Sequence, residues 1–247
     1  MDTVISIDKG TLVQKFLSPI SKVASNIVLN VEKDDINTIC TSQDGSFIVY
    51  AKLNTAIDIE TPLKLNLLDI DKFIRLLGCI EKVGDISLTV KNNNITYNDN
   101  KSFNFVYHLS EDGYIPKCPL NVTKINKLQF DTEFELTVGK FNEIMKAASI
   151  VTDSNKFYLY TKNGSVYGEL NDRETPNSNN ITYLINEEYT GESIEPAVPL
   201  NLEHLRLISG IKTSKINVKF NNSLKITVFE IQEDNILVKF IISALVK

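Results

Sequence analysis

The sequence has 247 residues, is 43% apolar, and carries a net charge of −5 with a pI near 5.2. That length has room for two domains with cores of their own, and that apolar share excludes a disordered chain. No apolar run is long enough to span a bilayer, and Met1-Asp-Thr-Val-Ile-Ser6 lacks the basic and apolar regions of a secretory leader.

Leu12, Phe16, Leu17, Ile20 and Val23 recur at helical spacing, which predicts a first helix, with a kink or restart at Pro19. Ile27–Val31 and Ser46–Leu53 read as strands, with a turn at Gln43-Asp-Gly45. A second helix opens near Asn66 or Asp69, either of which can cap it, and buries Ile70, Phe73, Ile74 and Leu77. Asp85–Val90, a turn at Asn92-Asn-Asn94 and Ile95–Tyr97 complete a first half. Glu111–Asp131 contains two prolines and no period, and reads as a linker. A third helix, Val138–Ser149, buries Phe141, Ile144, Met145 and Ala148. Strands follow at Lys156–Tyr160, Ser165–Leu170 and Ile181–Ile185, interrupted by a polar loop over 171–180. A fourth helix spans Leu202–Ile211, then come Lys215–Phe220, a turn at Asn221-Asn-Ser223, and strands at Leu224–Val228 and Ile236–Ala244.

The second half thus repeats the order of the first, displaced by roughly 130 residues, the size of a small domain. The expected fold is α+β: two tandem repeats, with helices on one face of antiparallel sheets. The expected boundaries are 1–112 for the first domain, 113–129 for a connector and 130–247 for the second domain.

Little in the chain resembles catalytic machinery. His108 and His204 lie in different repeats, and no Cys or His cluster has metal-ligand spacing. No phosphate-binding glycine loop, nucleophile elbow or dinucleotide fingerprint occurs. Asp34-Asp35 and Asp69/Asp71 are the nearest approach to a metal-binding pair. They read more simply as a hairpin turn and a helix cap. No enzyme activity and no cofactor are expected. Cys40, Cys79 and Cys118 are odd in number and far apart, which fits free thiols in a reducing, intracellular compartment.

The positive signal is cationic. Lys72, Arg75, Cys79 and Lys82 recur at helical spacing opposite the buried stripe of the second helix. Lys15 and Lys22 share a side of the first helix, with Lys9 just before it. The third helix carries Lys140 and Lys146; the fourth carries Arg206, with Lys212 and Lys215 after it. Of three arginines, Arg75 and Arg206 occupy nearly equivalent repeat positions. One such helix would be an ordinary solvated face. Four in a net-acidic chain suggest a basic surface that the summed charge hides, although Glu143 and Glu203 interrupt it.

Leu12-Val-Gln-Lys-Phe-Leu17, Ile39-Cys-Thr-Ser-Gln-Asp-Gly-Ser46 and Leu67-Leu-Asp-Ile-Asp-Lys-Phe-Ile-Arg-Leu-Leu77, in this order and within two joined repeats, resemble the DNA sliding clamps, both proliferating cell nuclear antigen and the phage-type clamps. The resemblance covers nearly the whole chain. It implies a ring of three subunits that encloses duplex DNA and slides along it without reading sequence. The helix cations Lys9, Lys15, Lys22, Lys72, Arg75, Lys82, Lys140, Lys146, Arg206, Lys212 and Lys215 would touch phosphates. It also implies a DNA polymerase and an ATP-dependent clamp loader as partners, and no membrane. A partner-peptide pocket under the connector would involve Cys40, Ser42, Cys118, Leu120, Val122, Ile125, Ser223, Leu224, Ile242, Ala244 and Leu245. The same apolar residues could instead close a structural seam. The subunit interface is expected at two alternating segments, Phe103, Phe105, Tyr107 and Leu109 on one chain against Ile181, Tyr183 and Ile185 on its neighbour. An AT-rich, virus- or phage-like source fits the Asn, Ile and Lys usage. Competing readings are a virion or assembly protein built of duplicated β-rich domains, and a hydrolase using the paired aspartates.

Overall fold

The computed structural model describes residues 2–151, 154–171, 173, 175, 179–211, 213 and 215–245. Two compact units emerge, Met1–Val122 with Glu233–Val238, and Thr123–Gln232 with Lys239–Lys247.

In the first unit, β1 (Thr3–Asp8) leads into a π-helical segment, Thr11–Leu17, continued by α1 (Ser18–Ser21). Asp8 starts this helix by accepting the Thr11 N–H at 2.7 Å, and hydrogen bonding from the Thr11 side chain, then from its backbone, holds the Asp8 carboxyl below the ordinary value. Pro19 has no N–H to give to the preceding turn. Widened π-type spacing precedes it, and Pro19 sits in the first turn of α1. The restart predicted at Pro19 is therefore present. Then come β2 (Ile27–Val31), β3 (Asp35–Thr41), β4 (Phe47–Asn54), β5 (Leu63–Leu67), α2 (Ile70–Gly78), β6 (Asp85–Lys91), β7 (Asn94–Asn98) and β8 (Asn104–His108). These strands form two antiparallel runs, β1-β6-β7-β8 and β5-β2-β3-β4. The β6–β7 turn places Asn92 and Asn93 at φ 47° and 61°, the paired positive angles that a two-residue hairpin of the right twist requires. Phe16, Leu17, Ile20, Ile70, Phe73 and Leu77 fill the core between helices and strands.

The second unit repeats the order. A short helix, α3 (Val122–Asn126), precedes β9 (Thr132–Thr137), α4 (Val138–Ala148), β10 (Lys156–Lys162), β11 (Ser165–Leu170), β12 (Ile181–Asn186), β13 (Thr190–Gly191), β14 (Val198–Asn201), α5 (Leu202–Ser209), β15 (Lys215–Asn221), β16 (Ile226–Glu233) and β17 (Ile236–Ser243). Its runs are β12-β11-β10-β14 and β13-β9-β15-β16. Asp69, Thr137 and Asn201 cap α2, α4 and α5 by accepting backbone N–H groups of Lys72, Lys140 and Glu203.

Three details differ from the sequence reading. Asp35 is not a turn residue: it begins β3, is buried, and is paired with Lys52 at 3.1 Å. The linker is not wholly irregular, because it contains α3. The boundary also does not run cleanly at 112 and 130, since Glu233–Val238 group with the first unit. The reason is local bonding. Asn54 donates its N–H to the Asn235 carbonyl at 2.8 Å, Asn235 returns a side-chain bond to the Asn54 carbonyl at 3.1 Å, and Lys15 lies 3.6 Å from Asp234.

Candidate functional site

The predicted cations separate into distinct groups. Lys72 and Arg75 are exposed on α2, and Lys82 is exposed beyond its end. Lys146 is exposed on α4. Among the described residues none of these four has a carboxylate within ion-pair distance. Their charge is therefore available to an incoming anion. The α2 face owes its form to the sequence period: Ile70, Phe73 and Leu77 turn inward, which leaves 72 and 75 outside.

The other cations are occupied within the protein. Lys15 faces Asp234 at 3.6 Å and Glu233 at 4.0 Å. Lys140 pairs with Glu143 at 3.4 Å, one turn along the same helix. Arg206 binds Glu203 and donates to the Ala148 carbonyl at 3.1 Å, where it caps the end of α4. Lys215 pairs with Glu135 at 3.0 Å across neighbouring strands. Lys9 donates to the Ile80 carbonyl. Lys212 lies outside the described residues. Lys22 is misplaced in the sequence reading. The helix ends at Ser21, so Lys22 falls on the half-buried wall of a groove. Burial there pushes its ammonium below the ordinary lysine value.

That groove has a volume of about 1050 Å³ and lies within the first unit. Cys40 and Ser42 on one side and Cys118 and Leu120 on the other line it. The Ser42–Ser46 turn is self-bonded, with Ser42 Oγ and Ser46 Oγ both donating to Asp44 and Gly45 at φ 74°. The linker is held over the groove by Asn66, which donates to the Ser110 carbonyl at 3.1 Å and to Asp112 at 2.9 Å, and by the buried Ile115. Burial, joined by the neighbouring Cys118, pushes the Cys40 thiol up to about 12; Cys118 is raised by burial, partly offset by the Leu120 backbone.

The remaining predicted pocket residues divide. Val122 opens α3 and is half-buried. Leu224 is 57% exposed and Ser223 is exposed beside it. Ala244 and Leu245 are half-buried and held by the carbonyls of Lys225 and Pro199. Ile125 and Ile242 are corrections. Both side chains are buried in packed structure and present no surface to a ligand, as the apolar positions of a helix and a strand interior do.

The predicted interface segments are both sheet edges: β8 ends the run β1-β6-β7-β8, and β12 ends β12-β11-β10-β14. The side chains named at β8 nevertheless point inward. Phe105, Tyr107 and Leu109 are buried and the Phe103 ring packs at a tilt against Tyr97 and Phe105, because alternation sends the apolar members to the core. What β8 offers outward is Asn104, Val106 and His108, with Val106 53% exposed. On β12, Ile181, Tyr183 and Ile185 are half-buried, and Leu184 is the exposed apolar residue. Both outward sets could have been found from the same alternation by taking its other phase.

Among the described residues no group of three or more His, Cys, Asp or Glu side chains is placed to hold a metal.

No family model and no curated protein matches the sequence. Solved structures do match. A. fulgidus PCNA, in a structure with the C-terminal region of FEN-1 bound, is 13% identical over 99% of both chains, with a TM-score of 0.79. The Entamoeba histolytica proliferating cellular nuclear antigen is 12% identical over 99% of both chains, with a TM-score of 0.77. A chain of the Sulfolobus tokodaii PCNA2–PCNA3 complex is 14% identical, again over 99% of both, with a TM-score of 0.74. Over its whole length, therefore, this chain has the fold of the DNA sliding clamps.

Proposed function

We propose that this protein is a DNA polymerase sliding clamp. The observation that carries the proposal is the likeness to clamp structures over 99% of both chains. The unpaired cations of α2 and α4 support it, because a solvated helix face in a net-acidic chain has no structural need of them. In this reading three copies join through the β8 and β12 edges and close around duplex DNA. Lys72, Arg75, Lys82 and Lys146 face phosphates and slide from one to the next, since none reads a base. Closure prevents escape, and a polymerase bound to the ring is retained at high effective concentration. An ATP-dependent loader opens the ring, the partner peptide docks in the groove beneath the linker, and the source is a virus or phage. The protein itself performs no chemistry and needs no cofactor.

The test is retention on DNA. Loaded on nicked circular duplex, the protein should stay bound through high salt and be released when the circle is cut. Equal loss from circular and linear DNA would show that nothing is encircled. The same preparation should extend the product length of its polymerase. A virion or assembly protein would do neither.

A further inference from the structure

The groove has an unusual charge for this chain. Its charged lining consists of Lys22, Lys64 and Lys117, and no carboxylate is among its lining residues, although acidic side chains outnumber basic ones in the sequence, 31 to 26. Lys64 is taken by Asp112 at 2.6 Å, and Lys117 acts on the same Asp112 from further away. Lys22 is different: it is half-buried, and among the described residues no carboxylate lies within ion-pair distance of it. A partly desolvated ammonium without a counter-ion is costly, and its depressed pKa records that cost. An arriving carboxylate would remove it. The surrounding wall is apolar, with Val23, Ile39, Cys40, Ile115 and Leu120. This favours a peptide with an apolar anchor over a DNA backbone, which presents charge without apolar bulk.

We propose that the groove takes an acidic partner peptide: an apolar anchor seated between Cys40 and Leu120, with an Asp or Glu carboxylate on Lys22 and further acidic residues toward Lys117. This rests on the reading of the groove as the partner site and adds the chemistry of its occupant.

The experiment selects short random peptides displayed on phage against the intact protein, then measures the enriched peptides against wild type, Lys22→Glu, Lys22→Gln and Leu120→Asp. The expected result is enrichment of peptides with Asp or Glu beside apolar residues. Lys22→Glu should weaken them about tenfold and Lys22→Gln by less, since a close, partly desolvated charge pair is lost. Enriched peptides that are neutral or basic and lose affinity for Leu120→Asp would overturn the charge assignment while leaving the groove as the site. Enriched peptides indifferent to Leu120→Asp would overturn the groove reading itself, and this proposal with it. Displacement of a bound acidic peptide by a short duplex from wild type but not from Lys22→Gln would assign the lysines to DNA instead. Far-ultraviolet circular dichroism and thermal unfolding of each variant exclude misfolding as the cause.

Discussion

Tyr107 and Asp69 exchange two hydrogen bonds: the tyrosine hydroxyl accepts the Asp69 N–H at 3.1 Å and donates to the Asp69 carbonyl at 3.0 Å. Tyr107 lies on the edge strand β8, and Asp69 is the cap of α2. The Tyr107 ring also packs on Phe73, with ring centres 5.0 Å apart. The helix that carries the free cations is therefore fastened to the strand proposed to join subunits. Tyr107→Phe keeps the ring and removes only the hydroxyl. It should cost about 1–2 kcal/mol in urea unfolding, because it leaves the Asp69 N–H without its partner and takes one of two donors from the Asp69 carbonyl, which keeps the Phe73 N–H at 3.1 Å.

The same tyrosine makes stability fall at alkaline pH. Burial raises the Tyr107 pKa above its ordinary value, with a partial opposing effect from the Asp69 backbone; burial likewise raises Tyr50 and Tyr160. A raised folded-state pKa means that the native protein holds these protons more tightly than the unfolded chain. Their contribution is complete below the unfolded tyrosine pKa of about 10 and is lost as pH rises through the folded values. Unfolding free energy should be flat approaching that pH and decline above it, and Tyr107→Phe should shallow the decline. An unchanged slope in the mutant would assign the loss to the other tyrosines.

The reversals Lys72→Glu and Arg75→Glu should act on DNA and not on folding. Each lost phosphate contact should reduce the salt slope of binding to linear duplex by about one, while the melting temperature stays near that of wild type. Arg206→Ala should show the opposite pattern. Its guanidinium is committed to Glu203 and to the last carbonyl of α4, so the loss is one of stability, about 1 kcal/mol. If both variants lose DNA retention equally with stability intact, the separation of free from committed cations is wrong.

The difference between Arg75 and Arg206 marks the limit of what the sequence discloses. Their equivalence in the repeats was legible, because helix period and repeat order are local patterns. The carboxylate near Arg206 was legible too, since Glu203 lies one turn away on the same helix, but the second tie was not, because the Ala148 carbonyl lies 58 residues from Arg206 in the chain and is adjacent to it only after α4 and α5 pack. The strand β3 was obscured by Asp34-Asp35, a pair with turn-like chemistry; Lys52 neutralises Asp35 from the next strand. At Lys22 the period itself misled. The polar side of the first helix was projected past Ser21, where the helix has already ended. By contrast, the four helices, the Asn92-Asn93 hairpin and both edge strands followed from spacing and turn chemistry alone.

The cysteines should report on the groove. The thiolate is the reacting form, and exposure sets access to it. Cys79 is exposed, Cys118 is half-buried with its pKa raised by burial, and Cys40 is buried with its pKa raised to about 12. A disulfide reagent at neutral pH, followed by peptide mass mapping, should modify Cys79 first, Cys118 more slowly and Cys40 only on unfolding. An acidic peptide bound in the groove should slow Cys118 without affecting Cys79. Equal slowing at both thiols would mean that the peptide binds outside the groove.

Val106 tests the assembly. It stands 53% exposed on β8, between the inward-facing Phe105 and Tyr107, so a charge there leaves the core untouched. An edge strand with an apolar outward residue invites pairing, and lysine is a common way of discouraging it. On the β12 side the corresponding exposed apolar residue is Leu184. If the two edges join neighbouring subunits, Val106→Lys should shift sedimentation from a trimer toward a single chain at micromolar concentration, with the melting curve of the dissociated chain still cooperative. Leu184→Asp should do the same alone. Combined with Val106→Lys it should restore part of the association, since the two introduced charges are opposite and would face each other across the joint. A trimer that persists in both single variants would place the interface elsewhere. Dissociation by both without recovery in the pair would keep these edges as the interface but show that the two positions do not meet in register.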